Sequence, residues 1–138
     1  HQPDLIRRAG KYLSHLTGGR YDRILVGETS TGDIFRVTGP DLQQPTPLTP
    51  PISTGTLEQA YLSLRLAIVD HLDKGGERLP LFIDEAFVNW DPERRDRGMA
   101  VLTSVSRTRQ VFVFTCHPNV ASALGSAGAR VLELDRDS

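Results

Sequence analysis

Cysteine is nearly missing from this chain: Cys116 stands alone among 138 residues. That excludes an internal disulfide framework and fits a reducing cytosol. An excess of charge of either sign is missing too. Lysine and arginine number 16 against 17 acidic residues, for a net charge of -1, so no global basic field advertises nucleic acid, although a local patch remains open. No apolar run approaches transmembrane length and no signal peptide is visible, so a cytoplasmic protein with no membrane partner is expected. A phosphate-cradling loop of the form Gly-x4-Gly-Lys-[Ser/Thr] is also absent. Gly10–Lys11 is the sole Gly-Lys pair; Tyr12 follows it, and Leu5 holds the place of the earlier glycine. The chain starts at His1 and has one methionine, Met99, which predicts a part of a longer protein. Its length suits one domain that buries roughly two-thirds of its unfolded surface, and its 38% hydrophobic and 24% charged content is that of an ordinary globular fold.

What is present reads as alternating helices and strands. Pro3, followed by Leu5, Ile6, Ala9, Tyr12, Leu13 and Leu16 at helical spacing, predicts an amphipathic helix ended by Gly18–Gly19. Tyr21–Glu28 and Asp33–Thr38 are β-rich runs around Thr29–Ser30–Thr31–Gly32, an expected antiparallel hairpin. Five prolines in residues 40–52 predict a surface loop without regular structure. A second helix is expected from about Thr56 to Leu72, with Leu57, Ala60, Tyr61, Leu64, Ile68 and Leu72 as its apolar stripe and Lys74–Gly75–Gly76 as its exit. The runs at 80–84 and 110–116 do not alternate with polar residues and read as strands buried on both faces. Between them, Asp91–Pro92–Glu93 supplies an N-cap, a first-turn proline and a first-turn acid for a third helix. A short helix over Pro118–Leu124 and a last strand over Arg130–Leu134 complete the pattern. Strands separated by helices imply a parallel α/β sheet with right-handed crossovers, a βαβαβ core preceded by a helix and an antiparallel hairpin. No internal repeat is found.

Four pieces could carry chemistry. Asp84 and Glu85 end an apolar strand, where ligands of open α/β sheets bind. An Asp there can hold Mg²⁺ and a Glu can orient or deprotonate water, against the plainer reading of a solvated acidic strand end. Ile52–Gln59 opens a long helix: Ser53 or Thr54 can cap it, Gly55 permits close backbone approach, and the free N–H groups favour an anion, although most such starts are only caps. His117 lies just past the second strand, level with Asp84 and Glu85 if the strands are parallel neighbours. A Cys116–His117 nucleophilic dyad is disfavoured because neighbours alternate faces in a strand, so Cys116 is expected as a small buried filler. Asn89–Trp90–Asp91 follows the acids, with Asp91 as a cap and Trp90 as packing.

In this order the four pieces resemble the C-terminal lobe of an ABC-type ATPase head of the SMC-like group, which contains the SbcC and YhaN-type proteins. Ile52–Gln59 resembles the signature motif in a Gly-Thr-x-x-Gln form, Leu79–Glu85 resembles Walker B, Asn89–Asp91 the D-loop and His117 the switch histidine. The resemblance spans nearly the whole chain and divides it into a helix continuing from a coiled coil (1–20), a hairpin (21–39), a Pro-rich loop (40–52) and a core (53–138). It implies ATP and Mg²⁺ as cofactors. Asp84 would bind the metal, Glu85 would be the general base and His117 would contact the γ-phosphate. Ser53, Gly55, Thr56 and Gln59 would meet the nucleotide held by an opposing head, and Asn89 and Asp91 would line that dimer interface. The sequence departs from the common signature at Thr54, where many ABC proteins have glycine. The implied partners are an N-terminal P-loop lobe of the same protein, a second head, DNA and a nuclease subunit. The implied work is DNA repair or chromosome processing.

Other classes fit less well. Transporter lobes have a helical subdomain before the signature, where a hairpin and a Pro-rich loop are expected here. A non-hydrolytic scaffold lobe would not need Asp84, Glu85 and His117 together. A stand-alone two-metal phosphoesterase needs more acids near the strand ends. For DNA, Arg7, Arg8, Lys11, Arg20 and Arg23 concentrate positive charge near the start. Arg94, Arg95 and Arg97 cluster on the third helix; either group could meet phosphates, although Arg95 and Arg97 alternate with acids and read more simply as a solvated face.

Overall fold

A computed structural model describes residues 3–73, 76–85 and 87–134. Helix α1 spans Pro3–Leu16 and buries Ala9, Gly10, Leu13 and Leu16. Gly18 and Gly19 follow at φ +63° and +85°, and the Gly19 amide returns to the Ser14 carbonyl at 2.8 Å, a glycine-closed helix end. Strands β1 (Arg23–Thr29) and β2 (Gly32–Thr38) pair antiparallel from Arg23 opposite Thr38 to Thr29 opposite Gly32.

The Pro-rich stretch is not wholly irregular. Thr46–Pro47 forms a short strand, β3, antiparallel to β2, with Thr46 opposite Val37 and Pro47 opposite Arg36. β3 lies at the sheet edge, so Pro47's missing N–H costs the ladder little. The next amide, Leu48 N, donates to Phe35 O at 2.9 Å.

Helix α2 spans Thr54–Leu72 with Ser53 as its N-cap. Its buried residues are Gly55, Thr56, Gln59, Ala60, Leu62, Ser63, Leu66 and Ala67. The expected stripe is therefore rotated: Tyr61, Ile68 and Leu72 are exposed, Leu57 and Leu64 only partly buried. Counting apolar side chains misplaced the face because the seam against α1 is built from small and polar residues. There Gln59 is buried and its amide donates to Leu16 O at 2.7 Å, and Ser63 Oγ bonds to Gln59 O at 2.8 Å. Of the expected exit, Lys74 and Gly75 lie outside the described residues; Gly76 has φ +89°.

Strands β4 (Leu81–Asp84) and β5 (Val111–Phe114) are parallel, with Asp84 opposite Phe114. Helix α3 (Pro92–Val105) lies between them in sequence, capped by Asp91 as expected, and α4 (Pro118–Ser126) follows β5. Two expectations fail. Residues 130–134 form no strand and are exposed, Leu134 at 86%, so the core described is βαβα rather than βαβαβ. Nor are β4 and β5 buried on both faces. Leu81 and Ile83 are buried, but Phe82, Phe112 and Phe114 stand exposed on the opposite face, where Phe82 stacks on Phe112 at 5.0 Å. Nothing in the described residues covers that face, although parallel strands are ordinarily covered on both sides.

Two apolar clusters flank α2. Ala60 and Ala67 pack with Ala9 and Leu13 of α1 and Ile24 and Val37 of the hairpin. Leu62 and Leu66 pack with Leu81 and Ile83 of β4, Met99 and Leu102 of α3 and Val120 of α4. Beneath them a buried ion-pair network ties α1, α2 and the approaches to both parallel strands. The Arg109 side chain is 1% exposed; it pairs with Asp73 and Asp70 and donates to Leu79 O at 2.5 Å. Tyr12 of α1 donates its hydroxyl to Asp70. Burial, with the Asp70 bond and charge, raises the Tyr12 pKa well above that of free tyrosine.

Candidate active site

Asp84 and Glu85 stand where the parallel ladder stops. Glu85 N donates to Phe114 O at 2.8 Å, closing the last rung, and Glu85 then takes φ +52°. Left-handed backbone is uncommon for a residue with a Cβ, costs about 1–2 kcal/mol and concentrates at functional sites. The turn aims the Glu85 carboxylate at the neighbouring strand end. Its Oε1 accepts Cys116 N at 2.8 Å and its Oε2 lies 3.4 Å from His117 Nε2. The placement of His117 beside the acids thus follows from parallel register. All three of Asp84, Glu85 and His117 are exposed, open to a ligand.

Cys116 is exposed rather than buried. The expected alternation does not apply to it, because β5 stops at Phe114 and residues 115–117 turn into α4, with His117 N on Thr115 Oγ1 at 3.0 Å.

A second constellation surrounds the start of α2. Ser53 Oγ accepts Thr56 N at 3.1 Å and lies 2.8 Å from Thr56 Oγ1. Arg94 Nη2 of α3 donates to the same Thr56 hydroxyl at 3.1 Å. Gly55 leaves room for that contact: a Cβ there would stand 2.2 Å from Arg94 Nη1 and the guanidinium would have to shift. Thr54 carries no positive φ; among the described non-glycine residues only Glu85 and Phe87 do. A side chain at 54 is therefore unstrained.

The turn after the acids is bound to this helix through Glu58. Its Oε1 accepts Asn89 Nδ2 at 3.0 Å and its Oε2 accepts Trp90 Nε1 at 2.7 Å. Phe87, at φ +74° and 2% exposed, meets Trp90 edge to face at 5.0 Å. Both rings press on Gly98, where a Cβ would come within 2.5 Å of Phe87 and 2.6 Å of Trp90. Asp91 caps α3 by accepting Arg94 N at 2.8 Å. A cleft of about 360 Å³ opens beside Ser53, Thr56 and Arg94, walled by Arg20 and by residues of the Pro-rich stretch. That stretch, expected only as a loop, thus shapes the approach to the helix start.

Of the expected site residues, the structure brings Glu85 and His117 together beside Asp84, and Ser53 and Thr56 together beside Gly55. Gln59 lies in the α1–α2 seam, its amide committed to Leu16 O. Asn89 and Asp91 sit on the Glu58-held turn. Glu58 was not singled out from sequence, and Arg94 was named only within an arginine cluster considered for DNA. A usable signal existed for Glu58, since a packed tryptophan needs an acceptor for its N–H. None existed for Arg94, which reads as one of several arginines on a polar helix face.

Comparison with solved structures decides the architecture. A structure from work on ATP-driven dimerization and DNA-stimulated activation of SMC ATPases superposes over 96% of this chain and 77% of its own, with TM-score 0.72 and 15% identity. This chain has the fold of an SMC ATPase head lobe. The Smc head domain of Pyrococcus furiosus, bound to the C-terminal domain of ScpA, gives TM-score 0.64 at 15% identity over 91% of this chain and 30% of its own. The Smc head of Pyrococcus yayanosii gives the same TM-score and identity over 91% and 23%. In sequence, the chain is 33% identical over 126 residues to the uncharacterized protein YhaN of Bacillus subtilis (strain 168). That match covers 91% of this chain and 13% of YhaN's length. No family model matches the chain. Among the described residues, no helix of this SMC-like lobe is long and apolar enough to cross a membrane.

Proposed function

We propose that this lobe supplies half of an ATP-hydrolysing site, with Glu85 as general base and Asp84 as the Mg²⁺ ligand. The observation that carries the reading is the meeting of Glu85 and His117 at adjacent parallel strand ends, 3.4 Å apart. Mg²⁺ takes hard oxygen donors, and Asp84 offers an exposed carboxylate with no hydrogen-bond or ion-pair partner among the described residues, so the donor fits the ion. The ion would neutralise charge on the phosphates. Glu85 would accept a proton from the attacking water, and its carboxylate is held for that task by the Cys116 amide. His117 would hydrogen-bond the γ-phosphate.

The phosphate cradle must come from elsewhere, since no Gly-x4-Gly-Lys-[Ser/Thr] exists in the sequence. We assign it to an N-terminal P-loop lobe that also covers the exposed Phe82, Phe112 and Phe114. Ser53, Gly55, Thr56 and Gln59 would form the signature segment serving the nucleotide of a second head, with Asn89 and Asp91 at the interface. Gln59 would act there by fixing the helix to α1 rather than by direct contact. DNA processing is the setting, with DNA and a nuclease subunit as further partners; an SMC relative is described for DNA-stimulated activation. Of the amino-terminal basic residues, Arg7 pairs with Asp4 at 2.9 Å and Arg8 approaches Asp70 at 3.7 Å, whereas Lys11, Arg20 and Arg23 are exposed and would be the freer phosphate contacts.

The test compares ATP turnover by this chain alone with turnover by the protein that includes a P-loop lobe. Turnover only in the presence of the P-loop lobe, with Mg²⁺, is expected. Turnover by the purified chain alone would contradict the division of the site.

A further inference from the structure

The acid-and-histidine cluster contains a third donor that ATP hydrolysis does not use. Ligand atoms of Glu85, Cys116 and His117 all lie within 4.8 Å of one another. Around a tetrahedral zinc ion, with bonds of about 2.0–2.3 Å, neighbouring ligand atoms stand about 3.3–3.8 Å apart. The Glu85 Oε2–His117 Nε2 edge already has that length, at 3.4 Å. The sulfur has to close by about 1.5 Å at most to complete the face, and all three side chains are exposed, so an ion can reach them.

We propose that Glu85, Cys116 and His117 bind a divalent transition ion of the zinc class, and that the bound ion inhibits hydrolysis. Thiolate sulfur, imidazole nitrogen and carboxylate oxygen form a donor set that zinc accepts and magnesium does not. Thiolate and carboxylate together balance the charge of the ion, and the thiol proton is released to solvent on binding. Three protein ligands leave the fourth position for water. Backbone geometry brings the three residues together. Glu85 is turned by its positive φ and held by Cys116 N, while the chain reversal after Phe114 brings Cys116 and His117 to the same side. Inhibition follows because the ion occupies the carboxylate that takes the proton from water. That second half rests on the general-base reading of Glu85; the metal site does not.

Cobalt(II) titrated into the purified chain tests the site directly. One cobalt per chain with a sulfur-to-cobalt charge-transfer absorption is expected, displaced by zinc. Cys116→Ser should abolish the absorption, and His117→Ala should weaken binding by about 10-fold or more, with circular dichroism confirming that both variants fold. No sulfur-to-cobalt absorption in the folded wild type, or unchanged affinity in both variants, would overturn the site. A second arm uses the protein with its P-loop lobe and compares turnover with and without zinc within each variant. Wild type should be inhibited and restored by a chelator, and Cys116→Ser should show a ratio near one. Zinc bound at the cluster with turnover unaffected would overturn the inhibitory role and count against Glu85 as base, while leaving the site supported.

Discussion

The indole of Trp90 donates to Glu58 Oε2 at 2.7 Å, and Asn89 holds the other oxygen of the same carboxylate at 3.0 Å. One side chain on the first turns of α2 therefore positions the turn that leads from Asp84 and Glu85 into α3. Any ligand that moves the α2 start moves that turn with it, which gives the two constellations a physical connection.

Glu58→Ala removes the acceptor from a largely buried indole. Such a loss leaves a donor unsatisfied and should cost about 1–3 kcal/mol of stability, read from the urea midpoint. Trp90 fluorescence should shift with it. A midpoint equal to that of wild type would show that the link carries no energy.

Gly98→Ala places a methyl group against Phe87 and Trp90 at distances no Cβ adopts. Overpacking of this kind costs about 1–3 kcal/mol. Phe87, at φ +74°, lies in the turn that follows Asp84 and Glu85, so the variant should lower ATP turnover in the assembled protein as well as thermal stability. Wild-type melting behaviour would contradict the close packing.

The local part of this fold is written plainly in the sequence. Asp91–Pro92–Glu93 specifies the start of α3, Gly18–Gly19 the end of α1, and the Ser30–Thr31 turn the hairpin, because each depends on a few neighbouring residues. The failures are those that depend on residues distant in the chain or on a face that no described residue covers. The α2 face was misjudged because its seam uses Gln59 and Ser63, whose fitness depends on Leu16 and on α1. Phe82, Phe112 and Phe114 read as core because an unbroken apolar run ordinarily marks a strand covered on both faces, and nothing within the described residues covers theirs. At the site, Asp84, Glu85 and His117 were legible because strand ends in parallel register converge. Arg94 was not, because only the three-dimensional approach of α3 to Gly55 gives it a task.

Arg109 is a buried cation held by Asp73 and Asp70. Arg109→Ala takes the buried cation from Asp73, which keeps Arg78 at 3.7 Å, and from Asp70, which keeps Tyr12 and Arg8. With Asp73 only 7% exposed, the loss should cost about 3 kcal/mol, the lower end for breaking a buried pair, measured by denaturant unfolding. Because the network joins α1 to the approaches of β4 and β5, the variant should also expose the hairpin and β4 amides to faster hydrogen exchange. Loss of less than about 1 kcal/mol would place the network among the weak surface pairs.

Tyr12 supplies a pH test. Its folded pKa lies above the unfolded value of about 10, from burial first and Asp70 second. A group raised in this way contributes stability that is present below the unfolded pKa. As pH rises past that value, the unfolded chain ionises before the folded one, and the contribution is lost toward the folded pKa. Wild type should therefore lose stability above pH about 10 more steeply than Tyr12→Phe. Parallel stability curves for the two proteins would remove Tyr12 from the network.

The central claim is that Glu85 takes the proton from water at a site shared with a P-loop lobe. The direct measurement is single-turnover ATP hydrolysis, together with nucleotide binding and head dimerisation, by the Glu85→Gln variant of the protein that includes that lobe. Glutamine keeps an oxygen to accept the Cys116 amide but cannot take up the proton at neutral pH. The variant should bind ATP, dimerise and stall, with hydrolysis reduced by about 100-fold or more. Hydrolysis at the wild-type rate would contradict the assignment.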